Sequence, residues 1–385
     1  MSFVFGVIAY ATLISDYGFN LSATAAISVA RDDRVARSRV FWETLAVKIA
    51  LALSCAVAIA IAVPFLPQGA LDWKLYTIGF GVVLSGVLTP SWYFQGIERL
   101  PILSALTFVT RGAAVPVTLY FVRDASDTAV AMAITVVASG ASALLSLAIL
   151  WIRRELSWMR PNLNGLRETL RGGWHVFMST AAISLYTNTN AVLLGILTDH
   201  RAVAMFVAAD KVVKASQLSL APLSQALYPR ISYLMHHERP AAYALIQRSA
   251  LYIGGFSLAL TLGLAVLAPW IIQFLFGRDY SQATAVLRVL SLVPIAVGLS
   301  NLFGIQTMLP LGMKREFSAV LVAAGPCNVL LLLVLASSFG ARGAAFSVVV
   351  TEMAITAAMG IWLWRRQVPI FSGLSALSLR TRGHS

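Results

Sequence analysis

The chain has 385 residues, of which 58% are hydrophobic and only 12% charged, with a formal net charge of +13. Soluble domains carry about 25% charged residues. This composition, with apolar runs of bilayer-spanning length recurring throughout, excludes a soluble enzyme or binding module and predicts an all-α polytopic membrane protein. Lys and Arg sit mostly in short loops rather than in a basic stripe with interleaved aromatics, so nucleic acid is excluded as a partner.

Eleven spans are predicted. The first, 2–29, opens MSFVFGVIAY without a charged leader region or a cleavage site, so it is not a removable signal. Asp16 lies halfway along it, followed by Tyr17, Gly18 and Asn20. It reads in three ways: a cation or proton site that couples transport, the partner of a lysine, or the mark of a helix break. The second span, 40–64, carries Glu43 and Lys48, the latter a candidate cavity residue. Spans three to five cover 74–95, 101–122 and 129–152. Arg111 falls ten residues into the fourth, near mid-membrane at 1.5 Å rise per residue. Its guanidinium fork suits phosphate, and snorkelling is difficult from that depth.

A polar stretch at 153–173, RRELSWMRPNLNGLRETLRGG, is predicted as a linker. The sixth span, 174–197, contains SLYTNTN at 184–190. Tyr186, Thr187, Asn188 and Asn190 serve either interhelical hydrogen bonds or contact with sugar hydroxyls. The seventh, 202–234, contains AADKVVKASQ. Asp210 and Lys214, four apart, share one face in the favourable acid-before-base order, and Gln217 continues a polar stripe. Lys211 is turned roughly 100° from Asp210. The cluster reads as a structural ion pair or as a cationic wall of an aqueous cavity, because intramembrane charges usually mark a substrate or ion path.

The remaining spans are 241–268, 282–311, 317–336 and 343–364. Glu43, Arg248, Arg288 and Glu352 are placed nearer span ends, where interface anchoring accounts for them. Prolines 90, 116, 222, 294 and 326 predict kinks or hinges. Cys55 and Cys327 read as buried small apolar residues. No P-loop, dinucleotide fingerprint or HExxH is present, and the five histidines lack metal-ligand company, so neither cofactor, metal nor catalysis is expected.

Alternate loops hold 17 Lys and Arg against 5, which places the C-terminus in the cytoplasm. With eleven spans the N-terminus falls outside, with nothing before the first span to guide translocation. The expectation is a truncated or mis-started chain lacking one helix: a five-span lobe at 1–152, a cytoplasmic linker at 153–173, a six-span lobe at 174–364, and a cytoplasmic tail at 365–385.

Four segments in order, SDYGFNLSATAAISVARDD (15–33), PSWYFQGIERL (90–100), STAAISLYTNTNAVLLGILT (179–198) and AADKVVKASQLSLAPLSQALYPRIS (208–232), resemble the Wzx-type flippases of lipid-linked oligosaccharides. These belong to the multidrug/oligosaccharidyl-lipid/polysaccharide exporter superfamily. The resemblance implies twelve helices in two lobes around a central cavity, the first helix being absent here. It implies an undecaprenyl-diphosphate-linked repeat unit of O-antigen or exopolysaccharide as substrate, moved across the bacterial inner membrane by alternating access. Arg111, Lys211 and Lys214, moderated by Asp210, would meet the diphosphate. Tyr186, Thr187, Asn188, Asn190 and Gln217 would meet sugar, and Asp16 a proton or sodium ion. Membrane lipid, a polysaccharide polymerase and chain-length proteins are the implied partners. Three rivals remain: a cation-coupled exporter of small molecules, which would favour an acidic cavity; a membrane polymerase, which would need large extramembrane loops; and a non-functional remnant.

Overall fold

The computed structural model describes residues 2–65, 73–124 and 127–370. The chain is helical, with no strand among the described residues, and divides into two compact units, Met1–Phe177 and Met178–Ser385.

Unit 1 holds α1 (Ser2–Asp16), α2 (Phe19–Val29), α3 (Arg34–Ala62), α4 (Trp73–Leu88), α5 (Ser91–Gly96), α6 (Leu100–Phe121), α7 (Thr128–Ile152) and the start of α8 (Leu163–Leu197). α4 packs on α7 and α1, and α2 on α5. The first predicted span is therefore two helices, broken at Tyr17 and Gly18, both with positive φ. Gly18 is at φ 70°, and a Cβ there would stand 2.7 Å from Cγ1 of Val176 and 2.9 Å from the Phe177 nitrogen. Only glycine fits that bend. Gly96 plays the other tight role: a Cβ would meet Ile27 at 2.6 Å, and Thr24 donates its hydroxyl to the Trp92 carbonyl at 3.2 Å, so α2 and α5 touch nearly backbone to backbone. Phe41, Trp92, Tyr93 and Phe94 fill the core beside them.

Residues 163–173, expected as linker, instead form the first three turns of α8. Their polar composition hid an apolar stripe: Leu166 and Leu170, four apart, pack against the core of unit 1. The non-helical part before it is held down. The Ser157 amide donates to Ser38 Oγ at 2.9 Å, Trp42 Nε1 donates to the Ser157 carbonyl at 3.0 Å, and Arg34 donates to the Leu156 carbonyl at 3.2 Å. The Glu155 carboxylate lies against Arg37 at 3.4 Å and also bonds Arg99.

Unit 2 holds the rest of α8, then α9 (His200–Gln217), α10 (Ala221–His237), α11 (Arg239–Phe276), α12 (Ala283–Leu290), α13 (Val293–Phe303) and α14 (Lys314–Arg365). α11 packs on α13, α13 on α14, and α12 on α9, around a core that includes Leu194, Phe206, Ile272, Leu287 and Leu332. The seventh predicted span is broken into α9 and α10 at residues 218–220. α14 joins the last two predicted spans through a bend at Gly340, whose φ is 57°. Pro90 caps α5, while Pro222 and Pro294 sit in the first turns of α10 and α13, where a missing N–H costs nothing. Pro116 and Pro326 lie inside helices that run through them.

Among the described residues, seven helical stretches, including Arg34–Ala62, Leu100–Phe121 and Arg239–Phe276, are long and apolar enough to cross a bilayer. α1 and α2 are each too short because the first predicted span is broken, and α9 carries His200, Arg201, Asp210, Lys211 and Lys214 within 18 residues, while α8 carries the polar SLYTNTN segment. Those interruptions lead to the candidate site.

Candidate functional site

α8, α9, α12, α13 and both halves of α14 enclose a cavity of about 190 Å3 in unit 2. Three predicted segments reach it: Tyr186 and Thr187 from α8, and Asp210, Lys214 and Gln217 from α9. Lys214 and Asp210 form an ion pair at 2.7 Å along one face of α9. The helix continues through this polar face because Val212 buries the opposite side in the core, while Val213 lines the cavity beside the pair.

The other charged side chain in the lining is Glu352, from the second half of α14. It is only 8% exposed, and its Oε1 accepts the Tyr186 hydroxyl at 2.9 Å. Glu352 is thus not an interface anchor. The tenth residue of a span predicted at 343–364 stands about 14 Å along the helix axis. The depth argument that singled out Arg111 would have found it. Thr356, one turn on, donates to the carbonyls of Ala296 and Glu352 at 2.8 and 2.9 Å, fixing α14 against α13 at this level.

The charges here do not form the expected cationic wall. One lysine and two carboxyl side chains line the cavity, and the lysine is already paired. Lys211 is exposed and outside the lining, because its 100° offset turns it off the face shared by Asp210 and Lys214. The SLYTNTN segment is divided in the same way. Tyr186 and Thr187 face the cavity, whereas Asn190 is buried outside it with an Oδ1 that has no hydrogen-bond partner among the described residues. Asn188 lies in α8, but its side chain is outside the described residues.

In unit 1, Arg111 is exposed in a groove of about 390 Å3 between α6 and α7, beside Thr118, Thr135 and Ser139. It has no acidic partner among the described residues. Asp16 and Lys48, expected as an ion site and a cavity residue, bind each other at 2.9 Å, and Lys48 also donates to the Gly86 carbonyl at 3.2 Å. Lys48 is fully buried, so the structure gives it a partner instead of a cavity. For Asp16, the lysine pair and the helix break occur together. No group of three or more metal-ligating side chains occurs among the described residues.

Comparison with known proteins adds a second line of evidence. A family model described as polysaccharide biosynthesis protein matches residues 1–235. A putative O-antigen transporter of Escherichia coli K12 is 33% identical over 358 residues, covering 91% of this chain and 84% of that protein. A putative O-antigen transporter of Shigella dysenteriae is 26% identical, covering 89% of this chain and 86% of that protein. Among solved structures, the outward-facing conformation of a multidrug resistance MATE family transporter of the MOP superfamily aligns with a TM-score of 0.79 at 15% identity, over 95% of this chain and 88% of that one. That likeness concerns the fold alone.

Proposed function

Because this chain belongs to the polysaccharide biosynthesis protein family, as a Wzx-type member of the MOP exporter superfamily, we propose that it moves undecaprenyl-diphosphate-linked oligosaccharide units across the bacterial inner membrane. The transfer runs from the cytoplasmic to the outer leaflet by alternating access, with the C-terminus on the cytoplasmic side. Being a multi-pass membrane transporter of O-antigen or related polysaccharide, it needs a way to carry an anionic, hydroxyl-rich head past hydrocarbon.

The observation that supports this reading best is Arg111. It is the twelfth residue of the 22-residue α6, roughly 16 Å from either end, and no carboxylate among the described residues answers it. A cation at such depth costs at least ~2.5–3.5 kcal/mol on insertion scales unless an anion or water satisfies it. A diphosphate supplies that anion, and the guanidinium fork binds two of its oxygens at once. In unit 2, Lys211 is exposed on α9, off the paired face and without an acidic partner among the described residues.

The test is complementation of a flippase-null strain, scored by surface polysaccharide at matched expression. Arg111→Ala is expected to lower it by about tenfold or more, equivalent to ~1.4 kcal/mol, and Arg111→Lys to keep the charge but lose the fork and fall between. Normal polysaccharide from both Arg111→Ala and Lys211→Ala would end the proposal. A second reading, export of a cationic small molecule, draws on Glu352 and Asp210 in the unit 2 cavity. Drug resistance conferred on a sensitised host, without polysaccharide rescue, would select it.

A further inference from the structure

The unit 2 cavity contains a carboxylate with a hydrogen-bond partner on only one oxygen among the described residues. Oε1 of Glu352 accepts the Tyr186 hydroxyl, but Oε2 has no partner among the described residues. The one cation on the same cavity, Lys214, is committed to Asp210 at 2.7 Å. A buried carboxylate in a low-dielectric pocket requires donors, and leaving it without them is unfavourable. Oε2, on the cavity lining, can accept from a donor group that a ligand brings.

The rest of the lining says what kind of group. Ser300, Asn301, Thr187 and Gln217 present neutral polar atoms, while Phe317 and Ile355 supply apolar surface. A pyranose ring has that division: hydroxyls at its rim and C–H faces above and below. Vicinal hydroxyls also donate in pairs, matching the two lone-pair edges of a carboxylate. Size limits the occupant further. At about 190 Å3 the cavity is below the roughly 300–1,000 Å3 of sites that enclose drug-sized ligands. It holds one sugar ring, not a repeat unit.

We propose that Glu352, held in place by Tyr186, is a specificity residue that reads the hydroxyls of a single sugar ring of the transported glycan. This rests on the lipid-linked oligosaccharide reading above and sharpens it: phosphate and sugar are recognised by separate sets of residues. The rest of the glycan stays outside the pocket, so repeat units that share this one sugar are accepted alike.

The experiment uses the full-length protein in lipid nanodiscs. Its probes are farnesyl diphosphate, the same lipid carrying one N-acetylglucosamine, galactose, glucose or fucose, and the free methyl glycosides. At least one sugar-bearing probe is expected to bind about tenfold more tightly than farnesyl diphosphate. Glu352→Gln is expected to erase that gain, the variant binding the sugar-bearing probes no more tightly than farnesyl diphosphate. Should Glu352→Gln fail to fold, Val348→Phe, one turn away in the same lining, fills the pocket without touching the carboxylate and is expected to erase the same gain. If farnesyl diphosphate binds but no sugar adds affinity, or if Glu352→Gln keeps the gain, the inference is overturned and the lipid-linked reading survives. If a methyl glycoside binds and is lost in Glu352→Gln while farnesyl diphosphate does not bind, the sugar site stands and the lipid-diphosphate reading falls. Binding by neither class overturns both. Displacement of the bound probe by tetraphenylphosphonium but by no glycoside assigns Glu352 to cation binding and overturns the inference.

Discussion

Lys48 and Asp16 form an ion pair at 2.9 Å in which the lysine is 1% exposed and the carboxylate 33%. The asymmetry makes a prediction about which partner the fold can lose. Asp16→Asn leaves a buried ammonium without a counter-charge, its remaining acceptors being neutral carbonyls such as that of Gly86, and loss of one partner from a buried pair costs about 3–5 kcal/mol. Lys48→Met leaves a carboxylate that still reaches water, so its cost is expected to be roughly 1–2 kcal/mol, discounted for solvent screening. Melting of the purified variants in detergent checks the order. Equal losses would mean that the pair is not the buried contact described. The double variant Asp16→Asn/Lys48→Met is expected to recover most of the stability lost in Asp16→Asn.

The bend between α1 and α2 depends on one residue. Gly18→Ala places a Cβ against Val176 and the Phe177 nitrogen, at a φ that costs an L-residue roughly 1–2 kcal/mol before any clash. Overpacking adds about 1–3 kcal/mol. Gly254→Ala in α11 is the control, because a Cβ there meets nothing within 4 Å. It is expected to be neutral or to stabilise by ~0.5–1 kcal/mol through helix propensity. Thermal unfolding of the two variants should move in opposite directions or, at the least, differ by several degrees.

The segment around Glu155 is held by side chains instead of by its own helix. Glu155→Ala removes the carboxylate that Arg37 and Arg99 share, and Ser38→Ala leaves the Ser157 amide without its acceptor. Both changes are expected to speed tryptic cleavage at Arg153 and Arg154 by several-fold in detergent-solubilised protein, since proteolysis follows the population of the opened segment. Cleavage at the wild-type rate in both would show that these bonds do not hold the segment.

Much of the helical order was legible because apolar runs and short charged loops carry it, and such patterns depend on nearest neighbours along the chain. What escaped depended on partners distant in sequence. Residues 163–173 look like a loop until Leu166 and Leu170 are seen against the unit 1 core. The partner of Lys48 is 32 residues away, beyond any local pattern, whereas the depth of Glu352 was readable along its span and only its bond to Tyr186, 166 residues away, was not. The PSWYFQG segment is distinctive for a packing reason: Trp92, Tyr93 and Phe94 are core, and Gly96 lets α2 approach. The Asp210–Lys214 pair was readable because i,i+4 spacing is local, whereas which side of α9 faced a cavity was not.

That pair supplies the last prediction, which separates a structural role from a substrate role. As an exposed-to-half-buried helical pair at 2.7 Å, it contributes about 0.3–0.5 kcal/mol to stability, too little for its loss to empty the membrane of protein. Its electrostatic role is larger. Lys214→Ala leaves Asp210 as a bare anion on a cavity that already contains Glu352, and two carboxylates repel a diphosphate approaching α9. Asp210→Ala instead frees the lysine beside Lys211 and raises the local positive charge. Surface polysaccharide at matched expression is therefore expected to fall most in Lys214→Ala, by roughly tenfold, and little in Asp210→Ala. The double variant Asp210→Ala/Lys214→Ala should lie between them, because removing the anion undoes part of the harm. A double variant no better than Lys214→Ala would show that the lysine acts alone on the substrate. Equal, small effects in all three would reduce the pair to a helix-stabilising bridge.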